Sequence, residues 1–379
     1  MPSKRRPPAQ VSPRVGLVLG AGGILGSAWL IGALTAIAAE TGWDPGTADY
    51  IVGTSAGSVV GALLASGVPP WLMLAHTAGE LLDEPAAADA ADAAGDAGTA
   101  APADRSAGAA FRLDRGGLAL GPGSWRLALA SLARPYRYSP MAVVSGWLPR
   151  GIVSTEPLKA TVRRACADPW APHPNFWAVA VDYTTGRRTA FGRQGSPPAQ
   201  LDDAVAASCA IPGFYRPVKI GGRPYVDGGV HSTSNLDILR REPLDLVVAL
   251  NPMSSLHAEA TRHPAERLAL RMRQAAGRRL GAEARRLREA GMEVVLIQPT
   301  VQDLDVMGAN LMSARRRREV THTAVETVTR ELRHGSSGAR LAALPAGDPR
   351  FLHRPAGPPG GWPDFRELAR SRWRVARAA

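Results

Sequence analysis

Residues 49 to 67 read DYIVGTSAGSVVGALLASG. Tyr50 to Val52 is the apolar end of a strand and Ser58 to Ala65 the start of a helix. Between them stands Gly53-Thr54-Ser55-Ala56-Gly57, a G-x-S-x-G joint. Small residues at 53 and 57 let strand and helix approach closely, which forces Ser55 onto a tight turn at the helix N-terminus. Backbone amides and the helix dipole there favour developing negative charge. Two readings stay open on this motif alone: an activated serine nucleophile, and an ordinary N-cap in a glycine-rich joint.

A second glycine cluster lies upstream. RVGLVLG (14–20) reads as a strand, SAWLIGALTAIAAE (27–40) as a helix, and Gly20, Gly22, Gly23 and Gly26 fall between or just before them. Such a loop aims several N–H groups at one point and suits a phosphate or an oxyanion. A dinucleotide loop would need G-x-G-x-x-G and an acid at the end of the next strand. Here the third glycine comes one place late, with Leu25 in its position, and the next strand runs into the serine turn. No nucleotide or other cofactor is expected.

The third element is AASCAIPGFYRPVKIGGRPYVDGGV (206–230): a helix end, a short strand, a hairpin, and Asp227 ahead of Gly228 and Gly229. Taken by itself, D-G-G is a turn former. NFWAVAVDYTTGRRTAFG (175–192) reads as two strands joined by a Thr-Thr-Gly turn. LDLVVALN (244–251) and MEVVLIQP (292–299) are continuous apolar runs, as buried parallel strands require. WRLALASLARPY (125–136) and STEPLKATVRRACAD (154–168) read as helices, the second capped by Ser154 or Thr155 ahead of Pro157. The segment 83–110 is half alanine, 14 of 28 residues, and reads as a disordered insertion without chemistry. The stretch 345–365 reads as loop.

Two cysteines, Cys166 and Cys209, exclude a disulfide framework and a Cys-rich metal site, and fit a reducing compartment. No metal ligand set is expected. The proline-rich basic start, MPSKRRPPAQVSPR, lacks an apolar core for an export signal, and no run of 18 apolar residues occurs. The expectation is a cytoplasmic protein, at most peripheral at an inner membrane face. The formal charge of +12 favours anionic partners. Nine arginines lie in residues 259–291, interleaved with Glu266, Glu283 and Glu289, and an apolar set of Leu268, Met272, Ala276 and Leu280 runs at helical spacing. This pattern fits a solvated helix face first, contact with anionic lipid next, and nucleic acid least, because no recognition motif or aromatic platform accompanies it.

In their order, the glycine loop, G-x-S-x-G and D-G-G resemble the patatin-like phospholipase family over about Val15 to Asp237, interrupted by the alanine-rich segment. The resemblance implies a three-layer α/β/α fold with a mainly parallel sheet. It implies Ser55 as nucleophile and Asp227 as its base, without histidine. The amides of Gly22, Gly23 and Ile24 would form the oxyanion hole, with Gly20, Gly26, Gly53, Gly57, Gly228 and Gly229 as motif glycines. One position departs: where family members usually carry Arg or Lys, this chain has Leu25.

The layout expected is a basic N-terminal segment over 1–13, the α/β domain over 14–312, and a helix with a basic tail over 313–379. The activity expected is a serine acyl hydrolase cleaving fatty-acyl esters of lipids. Two alternatives stand beside it: a carboxylesterase on neutral or soluble esters, and a non-catalytic basic protein of membrane surfaces. A Ser-His-Asp triad would have to draw on His231 or His257. His231 lies too close to Asp227 in sequence to come from a separate loop.

Overall fold

A computed structural model describes residues 12–79, 123–133, 140–149, 151–255, 264–359, 362, 367–369 and 372. The alanine-rich segment 83–110, residues 1–11 and the tail from 373 lie outside the described residues. The strands are β1 Val15–Leu19, β2 Tyr50–Thr54, β3 Phe176–Asp182, β4 Arg188–Phe191, β5 Val218–Ile220, β6 Arg223–Asp227, β7 Leu246–Leu250 and β8 Glu293–Ile297. They form one sheet. Its parallel part runs β3-β2-β1-β7-β8, while β4 and β6 pair antiparallel with β3, and β5 with β6.

Side chains alternate across this sheet. Leu17, Leu19, Ile51, Phe176 and Val248 enter one apolar layer, and Val18, Val52, Trp177, Val179 and Val247 enter the other. Helices cover both faces, and for that reason these strands read as unbroken apolar runs. The helices are α1 Gly23–Thr41, α2 Ala56–Ala65, α3 Pro70–Thr77, α4 Trp125–Ala133, α5 Pro140–Trp147, α6 Glu156–Ala165, α7 Leu201–Ser208, α8 Pro264–Arg288, α9 Val301–Met307, α10 Arg317–His334, α11 Ser336–Leu341 and α12 Pro349–Leu352.

On the first face, α1 and α2 pack with α7 and α10. Helix α10 lies along α1 through Val320, Ala324, Val328 and Leu332, and Gly32 admits its backbone: a Cβ there would fall 2.4 Å from the Thr321 carbonyl oxygen. Helix α1 has the length and hydropathy of a membrane-crossing segment, but most of it is buried in this core. On the second face, α8 contributes Leu280, Ala284 and Leu287. Leu127 of α4 extends that layer onto Val181, Tyr183, Val226 and Val230.

The register around β3 decides where the site forms. Ala180 and Val181 pair with Thr189 and Arg188 of β4 and also with Asp227 and Val226 of β6, so β4 and β6 occupy opposite edges of β3. β2 shares positions 178 and 179 with β4 and therefore lies on the β6 edge. β2 ends with Thr54 opposite Val179, and β6 arrives from the other direction with Asp227 opposite Ala180. The two strands meet end to end, one residue apart along β3.

Four local expectations are adjusted. Helix α1 begins at Gly23, inside the glycine loop, four residues before Ser27. Thr155 occupies the N-cap position of α6 without a side-chain bond, and Ser154 Oγ accepts from the Glu156 amide instead. Within 345–365, α12 forms one short helical turn, capped by Asp348. On α8 the expected apolar stripe is incomplete, because Met272 is exposed while Arg273 and Glu283 are buried.

Candidate active site

Ser55 links β2 to α2 with φ 52° and ψ −122°, a conformation that L residues avoid. The strain is held by close packing on both sides. A Cβ on Gly53 would fall 2.4 Å from the Gly57 carbonyl oxygen, and one on Gly57 would fall 2.0 Å from that of Leu19. Only hydrogen fits at 53 and 57, as the motif requires. The Ser55 amide donates to Ser208 Oγ at 2.9 Å, and Ser208 Oγ donates to the Val179 carbonyl at 2.6 Å, which pins the turn to β3. Ser58 closes the helix start with its amide and hydroxyl both on the Ser55 carbonyl at 2.7 Å.

Asp227 ends β6 with its amide on the Ala210 carbonyl at 2.9 Å, and its Oδ1 accepts from the Gly229 amide at 2.6 Å. Gly228 is needed beside β3, since a Cβ there would fall 2.3 Å from the Val179 carbonyl oxygen. Ser55 and Asp227 are each 5% exposed. Burial raises the Asp227 carboxyl to about 6, against the lowering effect of the Ser55 hydroxyl and the Gly229 amide. Oδ1 is held by that amide, and the Ser55 hydroxyl is the other polar group that bears on the carboxyl.

The glycine loop closes onto both motifs. The Gly57 amide donates to the Gly20 carbonyl at 3.1 Å, the Ala21 amide to that of Thr233 at 2.7 Å, and the Gly20 amide to that of Leu250 at 2.8 Å. The loop then enters α1 through Gly22 and Gly23. Among the described residues none accepts from the amides of Gly22, Gly23 or Ile24, whereas the Leu25 amide donates to the Leu311 carbonyl at 3.0 Å. These three amides at a helix N-terminus are free to meet an anion. The Leu25 side chain is 1% exposed and lies in the core. Leu311 also crowds Gly23, so a segment far along the chain shapes this loop.

Sequence reasoning missed Asn235. It is fully buried in a left-handed conformation (φ 51°), and its Nδ2 donates to Thr54 Oγ1 at 3.1 Å, the Gly228 carbonyl at 3.3 Å and the Ser232 carbonyl at 2.6 Å. One amide thus ties the residue before Ser55 to the residue after Asp227. Glu283 of α8 holds the same loop, accepting from Ser234 Oγ at 2.6 Å and the Leu236 amide at 3.0 Å. The asparagine in S-T-S-N was a readable turn signal, but its partners depend on tertiary register. Cys209 was also unassigned. Its thiol lies 3.7 Å from Ser58 Oγ, and burial together with the Asp227 charge pushes its pKa up, so it stays a thiol and does not compete as a nucleophile.

His231 turns away from the pair. Its Nε2 lies 3.2 Å from an Arg279 guanidinium nitrogen, and burial with the charges of Arg188 and Arg279 lowers its pKa to about 4. His257 lies outside the described residues. No group of three or more metal-ligating side chains occurs among the described residues. Compared with known families, residues 17–240, more than half of the chain, match the family model described as Patatin-like phospholipase. The match spans all three motifs.

Proposed function

Because the chain belongs to the patatin-like phospholipase family, a family of lipid acyl hydrolases, we propose that it cleaves fatty-acyl esters through a Ser55–Asp227 dyad and an acyl-enzyme. The observation that carries this reading is the end-to-end meeting of β2 and β6, which puts a strained serine against a buried carboxyl. Asp227 takes the Ser55 proton as Oγ attacks the ester carbonyl, and the amides of Gly22, Gly23 and Ile24 receive the oxyanion. The protonated Asp227 then gives its proton to the departing alcohol. In the second half Asp227 deprotonates a water that attacks the acyl-enzyme, and returns that proton to Ser55 Oγ as the fatty acid leaves.

A carboxyl at its ordinary pKa of about 3.9 is a weak base. One held at about 6 is both stronger and still ionised at neutral pH. The engagement of His231 by Arg279 supports a dyad over a triad. The burial of Leu25 gives the loop amides but no cation, which favours recognition of an ester carbonyl there and not of a phosphate. The test is a pair of variants on a soluble short-chain ester. Asp227→Asn should lower kcat by about 10²–10⁴-fold, and His231→Ala should leave it within a few-fold. The opposite ranking overturns the dyad.

A further inference from the structure

The hairpin of α4 and α5 is amphipathic in an unusual way for a folded domain. Its inner face is well secured: Leu127 and Ala128 are buried, the Gly123 amide donates to the Leu148 carbonyl at 2.7 Å, and Tyr183 Oη donates to the Ser145 carbonyl at 2.5 Å. Its outer face carries Trp125, Leu129, Val144, Trp147 and Leu148, with Trp125 60% and Trp147 45% exposed. Their spacings, i and i+4 on α4 and i and i+3 on α5 with Leu148 just past its end, line up one apolar stripe per helix. With Met272 on α8, these are all the large hydrophobic side chains exposed among the described residues. Scattered apolar residues need no explanation, whereas their concentration on one hairpin does.

The hairpin sits against the catalytic turn. Leu127 packs on Val226, the residue before Asp227, and α5 touches the turn Gly228–Val230. Leu148 also covers Gly213, in the loop between α7 and β5. On the other side of the site, α8 is anchored where Arg273 donates to the Pro252 carbonyl at 2.8 Å, and Pro252 in turn packs on Gly22 and Gly26 of the glycine loop. The same turns of α8 expose Met272 with Arg267 and Arg271, and α4 exposes Arg126 beside Trp125. An apolar stripe with tryptophans, bracketed by arginines on a chain of net charge +12, matches the interface of an anionic bilayer, where indole rings sit at headgroup depth.

We propose that the α4–α5 hairpin, with Met272 and the flanking arginines, is the surface by which this protein docks on a phospholipid bilayer containing anionic headgroups. Docking there brings the turn that carries Asp227 next to the lipids. The proposal rests on the lipid-ester reading of the site, so its test must not depend on catalysis. Full-length Ser55→Ala protein is mixed with phosphatidylcholine vesicles doped with phosphatidylglycerol, and binding is read by co-sedimentation and by quenching of tryptophan fluorescence with brominated acyl chains.

Quenching is expected. Adding Trp125→Ser and Trp147→Ser should lower partitioning at least about tenfold, since each removes a large side chain from the apolar phase, without moving the thermal transition. Arg267→Gln with Arg271→Gln should weaken binding to doped vesicles and leave pure phosphatidylcholine unaffected. Undiminished binding of the tryptophan variant, absence of quenching, or sedimentation showing that the stripe joins two copies of the chain would overturn the proposal. Residual ester hydrolysis by Ser55→Ala protein would instead refute the dyad, leaving the docking result to stand by itself.

Discussion

Asp227→Asn keeps the shape and the Oδ1 acceptor for Gly229 but removes the buried charge, so activity and stability should move in opposite directions. Burial disfavours the anion and raises the folded-state carboxyl to about 6 from its ordinary value of 3.8. A gap of roughly two units at 1.36 kcal/mol each means that ionised Asp227 costs the fold about 3 kcal/mol above pH 6. A raised folded pKa gives the native state the extra proton between the two values. Wild-type stability relative to the variant is therefore fully present below about pH 4, is lost as pH rises through 6, and stays level beyond. Asp227→Asn should thus gain about 3 kcal/mol at pH 8 and about half of that at pH 5. With about 2.1 cal/mol/K per residue, the pH 8 gain corresponds to a rise in Tm of roughly 4 °C. Urea denaturation of both proteins at pH 5 and 8 measures it. A variant less stable than wild type at pH 8, or a difference that ignores pH, would refute the claim that Asp227 is held ionised against its surroundings.

Three further outcomes follow from the same geometry. Since the base must be ionised, kcat/KM on a soluble ester should be level above about pH 7, half-maximal near pH 6 and fall about tenfold per unit below it, which a pH–rate profile reads. Ser55→Gly should abolish turnover yet stabilise the fold by about 1 kcal/mol, because glycine accepts φ 52° that serine tolerates under strain; denaturant titration checks it. Asn235→Ala should lower kcat more than it raises KM and cost about 2–4 kcal/mol, because Thr54, Gly228 and Ser232 lose one shared donor.

Much of the fold was legible because β1, β2 and β7 are buried on both faces, and β8 over most of its length, so that they carry mainly apolar runs. The G-x-S-x-G joint and D-G-G turn were legible because their glycines answer local crowding that only hydrogen relieves. What brings Ser55 to Asp227 was not. It depends on β3 being long enough to pair β2 and β6 in succession along one edge, and register between residues as far apart as Ile51 and Phe176, or Ala180 and Asp227, leaves no local signal. The same holds for Leu311 against Gly23 and for Glu283, which reads as a solvated acid in an arginine-rich helix and is buried as a clamp. Helical spacing grouped Met272 with Leu280 in one apolar set, yet Met272 is exposed while Leu280 is buried under the sheet. Leu25 stood out as a missing cation, and its burial shows that the side chain belongs to the core.

If Asp227 accepts the Ser55 proton, Ser55 is a nucleophile that an electrophilic probe must find. Treating the full-length protein with a fluorophosphonate and mapping the adduct by peptide mass spectrometry tests it most directly. One adduct is expected, on Ser55, formed at a rate that falls below pH 6 and is suppressed in Asp227→Asn. Labelling at another serine, or Ser55 labelling that is indifferent to Asp227→Asn, would contradict it.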